Sequence, residues 1–147
     1  MSLDNLVGKT LEKIEPDSEN IKRLLKAAER NIQDAHVNEV SDETRFDAGY
    51  KAIMQLANAA LQANGYRTLT SKPGHHITMI QSLTQTIQLD SDTVMILDTL
   101  RKQRNAADYT GDVVPESAMK ECLSCAENLF HDVSKWIKEN KPDLLKG

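Results

Sequence analysis

Apolar residues recur every three or four positions between Ser41 and Asn64, and this periodicity constrains the fold more than any other feature of the chain. That spacing places the apolar side chains on one face of an α-helix, whereas a half-buried strand would need strict alternation. The boundaries are also marked, because Ser41 is a favoured N-cap and Asn64-Gly65 a favoured stop. The apolar face comprises Phe46, Tyr50, Ile53, Met54, Ala57, Ala60 and Leu61.

Four further stretches show the same periodicity, and no stretch alternates as a strand would. A shorter helix is predicted over Asn5–Ile14, stopped by Pro16, and a loop is predicted over Tyr66–Gly74. The four longer helices are predicted from Asp17 or Ser18 to His36–Glu39, from His75 to Gln88, from Asp90 or Ser91 to Tyr109–Gly111, and from Pro115 to Pro142.

Aromatic residues make up only 4% of the chain, so the core has to consist of Leu, Ile, Ala, Met and Val, which suit helices. Short loops between helices imply antiparallel neighbours. We therefore predict an all-α fold: an up-and-down antiparallel bundle of four to five main helices plus a short N-terminal helix. We expect one domain over residues 1–147, with its core at about 18–140.

The charge balance disfavours a strongly basic nucleic-acid-binding protein, because the formal net charge is −4 and the pI about 5.5. Anion binding would have to be local, for example at Arg101, Lys102 and Arg104. No apolar run approaches the roughly 20 residues that a membrane span needs, and no secretory signal is visible. We expect a cytoplasmic protein without a membrane partner.

Two cysteines, Cys122 and Cys125, form a C-x-x-C motif inside the last predicted helix. A redox role for this motif usually needs a strand-to-helix setting, and zinc usually takes four ligands where His131 would supply only a third. We interpret both cysteines as small buried apolar residues. No metal and no cofactor are predicted.

Positions 94, 97, 101, 104 and 108 form one continuous row on the helix that begins near Asp90. The row begins with apolar residues and continues as Arg101, Arg104 and Asp108. Arginines that extend a core-facing row are poorly placed for free solvation, and the guanidinium fork suits carboxylate or phosphate. Both an anion site and a structural ion pair of Arg104 with Asp108 or Asp47 fit this pattern.

Polar groups near this row are predicted on two other helices. Asp47 and Tyr50 lie one turn apart on the helix that follows Ser41, and a packed Tyr50 would need a hydrogen-bond partner for its hydroxyl. His75 and His76 stand at a helix start, where a histidine can serve as a base or a ligand.

Two stretches together resemble the HEPN superfamily over about residues 18–140. They are FDAGYKAIMQLANAALQANGYRTLTSKPGHHITMI and LRKQRNAADY. The resemblance implies a helical bundle, usually a homodimer, found with nucleotidyltransferases and in RNA-processing and defence systems. In catalytic members an arginine is followed after four to six residues by a histidine, forming a metal-independent RNase site.

The catalytic motif of that family is only half present in this chain. Arg104 matches the family arginine and Asn105 its frequent polar successor, but Tyr109, Thr110 or Gly111 stands where the histidine would be. Tyrosine titrates near ~10 and is a poor base at neutral pH. The resemblance therefore implies the branch with Arg-Asn-Ala-Ala-Asp-Tyr in place of the RNase motif.

Three functional hypotheses follow. The first is a homodimeric binding module for nucleic acid, a nucleotide or a protein partner, without turnover, acting through Arg101, Arg104, Asn105, Asp108, Tyr109, Asp47 and Tyr50. The second is an RNase, such as the toxin of a toxin–antitoxin pair, with Arg104 and a base from His75 or His76. The third is a structural or regulatory protein. A nucleotidyltransferase or an antitoxin is the partner that the resemblance implies.

Overall fold

The computed structural model describes residues 3–69, 74–111 and 113–146. Within them, five α-helices form an up-and-down antiparallel bundle, which confirms the predicted all-α class. The helices are α1 (Ser18–Ala35), α2 (Asp42–Ala63), α3 (His75–Thr86), α4 (Ser91–Thr110) and α5 (Glu116–Asn140).

Side-chain caps set the starts of three helices where the sequence predicted them. The Asp17 carboxylate accepts a hydrogen bond from the Glu19 amide at 3.0 Å, and Ser41 Oγ accepts one from the Thr44 amide at 3.1 Å. Asp90 caps α4 in the same way. Each cap satisfies an amide that has no partner within the first helical turn.

Helix α2 lies at the centre of the bundle and packs against α1, α5 and α3. It contributes more buried side chains than any other helix, including Phe46, Ile53 and Leu56. Its approach to α5 is close at Gly49, where an added Cβ would lie 3.1 Å from Cys122 Sγ. The predicted apolar face of this helix is therefore the main wall of the core.

The predicted helix over Asn5–Ile14 is wrong. The segment instead forms a short 3-10 helix, Leu3–Leu6, and a strand, β1 (Leu11–Lys13), which pairs antiparallel with β2 (Tyr66–Thr68). The prediction that the chain has no strand is wrong for the same reason. Each strand has only three residues and is specified by its distant partner, so neither shows a local alternating pattern.

Other predicted boundaries differ by a few residues. Helix α3 ends at Thr86 rather than at Gln88, whose positive φ of 56° does not continue a right-handed helix. Pro115 is the N-cap of α5 rather than its first residue, and Pro142 begins a second 3-10 helix, Pro142–Leu145. The predicted loop over Tyr66–Gly74 holds β2, and its residues 70–73 lie outside the described residues.

The C-terminal 3-10 helix folds back onto α1. Ser18 Oγ donates a hydrogen bond to the carbonyl oxygen of Leu144 at 2.7 Å, and Lys22 Nζ donates one to that of Lys146 at 2.9 Å. Both ends of the described chain are therefore packed onto the bundle, since β1 pairs with β2 and buries Leu11 completely.

Helix α4 is the least embedded of the five. It packs chiefly against α3, and its buried residues are Val94, Leu97 and Leu100, all in its N-terminal half. None of the helices in the described residues combines the length and the apolar character that a membrane span requires.

Candidate functional site

The charged row on α4 runs from the core towards solvent. After the buried Val94 and Leu97, the side chains of Arg101, Arg104 and Asp108 are 15%, 34% and 47% exposed in turn. The side chains of both arginines are thus partly buried, as the sequence predicted for arginines that continue a core-facing row. Desolvation of this degree strengthens their interactions with anions.

Arg101 is held by an acid that the sequence analysis did not consider. Its Nε donates a hydrogen bond to Asp98 Oδ1 at 2.8 Å, and Lys102 Nζ lies 3.5 Å from the other oxygen of the same carboxylate. The hydrogen bond from Arg101 lowers the pKa of Asp98. The pair is spaced i,i+3 on one helix, so that spacing was the signal available in the sequence.

Arg104 is placed differently, between two acids that it does not closely engage. Its Nε lies 3.9 Å from Asp47 Oδ1 and its Nη2 lies 3.8 Å from Asp108 Oδ2. Both separations exceed a good hydrogen-bond distance. The guanidinium carbon lies 5.2 Å from the centroid of the Tyr50 ring, within range of a cation–π interaction. Arg104 is therefore oriented by its surroundings, while its N–H donors are not consumed by either carboxylate.

The buried Tyr50 has the hydrogen-bond partner that its sequence position demanded. Its hydroxyl lies 3.2 Å from His76 Nδ1. Burial raises the pKa of Tyr50 to about 12, so the phenol stays protonated. The ring of His75 meets the ring of His76 edge to face, with centroids 4.8 Å apart.

The surroundings of His76 favour its neutral imidazole form. Burial is the main cause that lowers its pKa, followed by the nearby His75, Arg104 and Arg101. This environment disfavours the imidazolium form. The condition on which the RNase hypothesis depended, a histidine near Arg104, is met by His76.

One cleft opens beside Arg104 along the surface of α2, and we call it the α2 cleft. Its volume is about 430 Å³. Its side chains come from three helices, so only the tertiary fold assembles it. The lining residues are Asp47, Tyr50, Lys51, Met54, Gln55, Asn58, His76, Met79 and Arg104.

A second cleft, which we call the α4 cleft, shares two lining residues with the α2 cleft, Arg104 and His76. Its volume is about 350 Å³, and Tyr109 stands at its wall with its side chain 87% exposed. None of the described residues that line the α4 cleft is acidic. The lining residues are Gly74, His75, His76, Ile77, Arg101, Arg104, Asn105 and Tyr109.

The predicted site residues, which come from α2, α3 and α4, therefore line one or both of these clefts, with one exception. Asp108 lines neither and lies beside Arg104 at the exposed end of the row. Sequence reasoning missed the polar side chains on the α2 wall: Lys51, Gln55 and Asn58. Their signal was present, because polar residues at this spacing interrupt an otherwise alanine- and leucine-rich helix on one face. The amides of Gln55 and Asn58 are both oriented by hydrogen bonds. Asn31 donates to Gln55 Oε1 at 2.8 Å, and Gln62 donates to Asn58 Oδ1 at 3.1 Å.

The charge of the α2 cleft favours an anion at its Arg104 end. Lys51 and Arg104 outnumber the one acid in the lining, Asp47. Desolvation at the cleft wall raises the pKa of Asp47 more than Arg104 lowers it. The Asp47 carboxylate also stays 3.9 Å from Arg104 Nε, which leaves the N–H donors of Arg104 available to an anion.

Neither cysteine lines either cleft. Cys122 is buried and Cys125 half-buried, and both are free thiols. Burial raises the pKa of Cys122 to about 12, as expected for an unreactive core residue. Across the described ranges, no group of three His, Cys, Asp or Glu side chains is arranged to hold a metal ion.

Comparison with known families identifies the fold. The profile of the HEPN domain matches residues 21–136, which is most of the chain. The chain belongs to the HEPN domain family. Membership confirms the resemblance and associates the protein with nucleic-acid-related or RNase-like helical modules. A search of curated proteins finds no match to this HEPN domain.

Proposed function

We propose that this HEPN domain binds single-stranded RNA, with Arg104 as its principal phosphate contact. The observation that carries the proposal is the position of the Arg104 guanidinium, half-buried between two clefts and no closer than 3.8 Å to either neighbouring carboxylate. A desolvated guanidinium whose donors remain available is suited to a phosphate, which it can bind with two parallel hydrogen bonds.

The surroundings of Arg104 favour a nucleotide over a simple inorganic anion. The α2 cleft supplies apolar surface from Met54 and Met79 next to the amides of Gln55 and Asn58. Apolar surface with a few placed amides is what a nucleobase requires, because its faces stack and its edges form hydrogen bonds. Lys51 adds a second positive charge to the same cleft.

The tautomer of His76 determines what this residue contributes. If the Tyr50 hydroxyl donates to Nδ1, the neutral imidazole carries its proton on Nε2 and is a donor to the ligand. If Nδ1 carries the proton and donates to the Tyr50 oxygen, Nε2 is a free base. The first arrangement serves binding, and the second serves proton abstraction.

Binding is tested by fluorescence anisotropy with a short single-stranded RNA in which 2′-fluoro groups replace the hydroxyls, so that cleavage cannot consume the ligand. Arg104→Ala is expected to weaken binding at least about tenfold. Lys138→Ala, an exposed change on α5 at a residue that lines neither cleft, is the control and should alter the affinity less than about twofold. Equal affinity of wild type and Arg104→Ala would overturn the proposal.

RNA cleavage is a second candidate, favoured by the hydrogen bond that orients His76 in the clefts shared with Arg104. His76 Nε2 would accept the proton of a ribose 2′-hydroxyl as its oxygen attacks the adjacent phosphorus, while Arg104 stabilises the charge on the phosphate. As the 2′-oxygen bonds to phosphorus, the bond from phosphorus to the 5′-oxygen breaks, and the leaving oxygen takes a proton from water. The reaction would leave a 2′,3′-cyclic phosphate and a free 5′-hydroxyl end.

Unmodified RNA incubated with chelator tests cleavage directly. Loss of activity in both His76→Gln and Arg104→Ala, with activity retained in His131→Gln, is the result expected of an RNase. If the RNA stays intact in all samples and binding is lost only in Arg104→Ala, the protein binds RNA without cleaving it.

A further inference from the structure

We infer that the site accepts a dinucleotide step, with one base in the α2 cleft, the other in the α4 cleft, and the phosphate between them at Arg104. This inference rests on the proposed binding function and names the ligand unit that the site fits. The observation behind it is that Arg104 and His76 line both clefts, so they form the partition between them.

The two clefts are of similar and limited size. Their volumes are about 430 and 350 Å³. Small-molecule sites usually occupy ~300–1,000 Å³, so each cleft has room for a single nucleoside. A site for one mononucleotide would need only one of them.

Each cleft carries its own means of holding a base. The α2 cleft offers thioether surface and the amide of Asn58, and the α4 cleft offers the His75 and Tyr109 rings and the amide of Asn105. Aromatic rings and side-chain amides are the groups that bind unpaired bases in single-stranded RNA.

The order of these features matches the covalent order of a nucleic acid strand. Successive bases of a strand are joined through one phosphate, and here two clefts of nucleoside size share one cationic side chain, Arg104. Tyr50 contacts both residues of this partition. Its ring centroid lies 5.2 Å from the guanidinium carbon of Arg104, and its hydroxyl lies 3.2 Å from His76 Nδ1. A peptide carboxylate would satisfy Arg104 but would leave one of the two clefts without a ligand group.

The test uses three ligands that each carry one phosphodiester and one negative charge: uridylyl-uridine, uridine 3′-methyl phosphate and uridine 5′-methyl phosphate, all with 2′-fluoro sugars. Affinities are measured by NMR titration of the intact protein. The two-base ligand is expected to bind about tenfold more tightly than either one-base ligand, since each base that stacks in a cleft adds to the affinity.

Two variants assign the clefts. Asn58→Leu removes an amide from the α2 cleft, and Asn105→Leu removes one from the α4 cleft. Both changes keep the branched, four-atom skeleton of the side chain. Each is expected to weaken the two-base ligand and one of the one-base ligands, and the affected one-base ligand should differ between the variants. This crossed pattern would also give the direction of the strand.

Two results would overturn the inference: equal affinities for all three ligands, or both variants weakening the same one-base ligand. Failure of all three ligands to bind while the longer RNA binds would overturn it as well. Arg104→Ala separates this failure from failure of the proposed function, because that variant should lose the longer RNA whichever way the clefts are used.

Discussion

His76 shows how the fold controls the charge of one residue. Its ring is half-buried among Tyr50, His75 and two arginines, and burial together with the nearby cations lowers its pKa. A group with a lowered pKa in the folded state contributes stability that is present above its unfolded pKa, near ~6.5, and is lost as the pH falls through the folded value.

Substitution of His76 should therefore flatten the pH dependence of stability. We expect the free energy of unfolding of His76→Gln, measured in urea at about pH 7.5 and about pH 5, to fall less on acidification than that of wild type. Loss of the hydrogen bond to Tyr50 changes stability at every pH, whereas the pH-dependent part of the difference from wild type should be confined to pH values below about 6.5.

The exposed His131 supplies the control for this measurement, because His131→Gln also removes one imidazole. That variant should retain the wild-type difference between the two pH values. If His76→Gln and His131→Gln behave alike, the environment of His76 does not matter for stability.

Two residue-scale contacts show what sequence could and could not reveal about the site. The Arg101–Asp98 pair is local, three residues apart on one helix, and was open to prediction. The Tyr50–His76 hydrogen bond joins α2 to α3 across 26 positions, so it depends on how the two helices pack. The need of Tyr50 for a partner was predictable, whereas the identity of that partner was not.

At the scale of elements, the contact between α2 and α5 depends on the absence of a side chain at Gly49. A Cβ there would lie 3.1 Å from Cys122 Sγ and 3.4 Å from Leu123 Cδ1. The same substitution gains helix propensity, because Ala is better than Gly by ~1 kcal/mol in a helix interior. The two effects oppose each other, and their balance depends on Cys122.

We expect Gly49→Ala to destabilise the wild-type protein by about 1 kcal/mol, because overpacking of a core costs ~1–3 kcal/mol and exceeds the gain in propensity. In a Cys122→Ala background the sulfur is gone, and Gly49→Ala should then be stabilising. Urea unfolding of the four proteins measures the coupling. An equal effect in both backgrounds would show that the contact with sulfur is unimportant.

The capped starts of helices were the most predictable part of the elements. Three helices begin at the N-caps that the sequence predicted, Asp17, Ser41 and Asp90. These caps were predictable because capping depends on a few neighbouring residues. The strands were missed because the pairing of Leu11 with Thr68 is decided across the chain. The local pattern before Pro16 holds no information about that partner.

At the scale of the whole molecule, the N-terminal segment is part of the core although the HEPN profile begins at residue 21. Leu11 is fully buried, and β1 holds it beside β2. Leu11→Ala is therefore expected to lower the free energy of unfolding by about 2–5 kcal/mol.

The matched control for Leu11→Ala is Val7→Ala in the same segment, since Val7 is 39% exposed. A change within about 0.5 kcal/mol is expected there. If both substitutions cost the same in denaturant unfolding, the segment does not contribute to the core as described.

Homodimerisation stays a prediction of the family resemblance, as does a nucleotidyltransferase or antitoxin partner. Light scattering on the purified protein tests the first over a range of concentrations. A dimer should give twice the mass of one chain, 16.4 kDa, and a monomer at every concentration would contradict the prediction.

The burial of α4 is uneven along its length, since its buried residues stop at Leu100 and the half that carries Arg104 has none. Local opening is least costly where few side chains are buried. We expect amide hydrogens of residues 101–110 to exchange with solvent faster than those in the middle of α2. Equal protection of the two segments would contradict this expectation.

Arg104 can separate the two proposed base sites only while residues 101–110 are folded as a helix. The affinity measured for any ligand at Arg104 then includes the free energy of folding this half of the helix. The reason is that apparent affinity scales with the fraction of protein in the conformation that can bind. A substitution that stabilises residues 101–110 without touching the ligand would tighten binding. Ligand affinity is thus partly a property of helix order, and it can change with no change in the residues that contact the ligand.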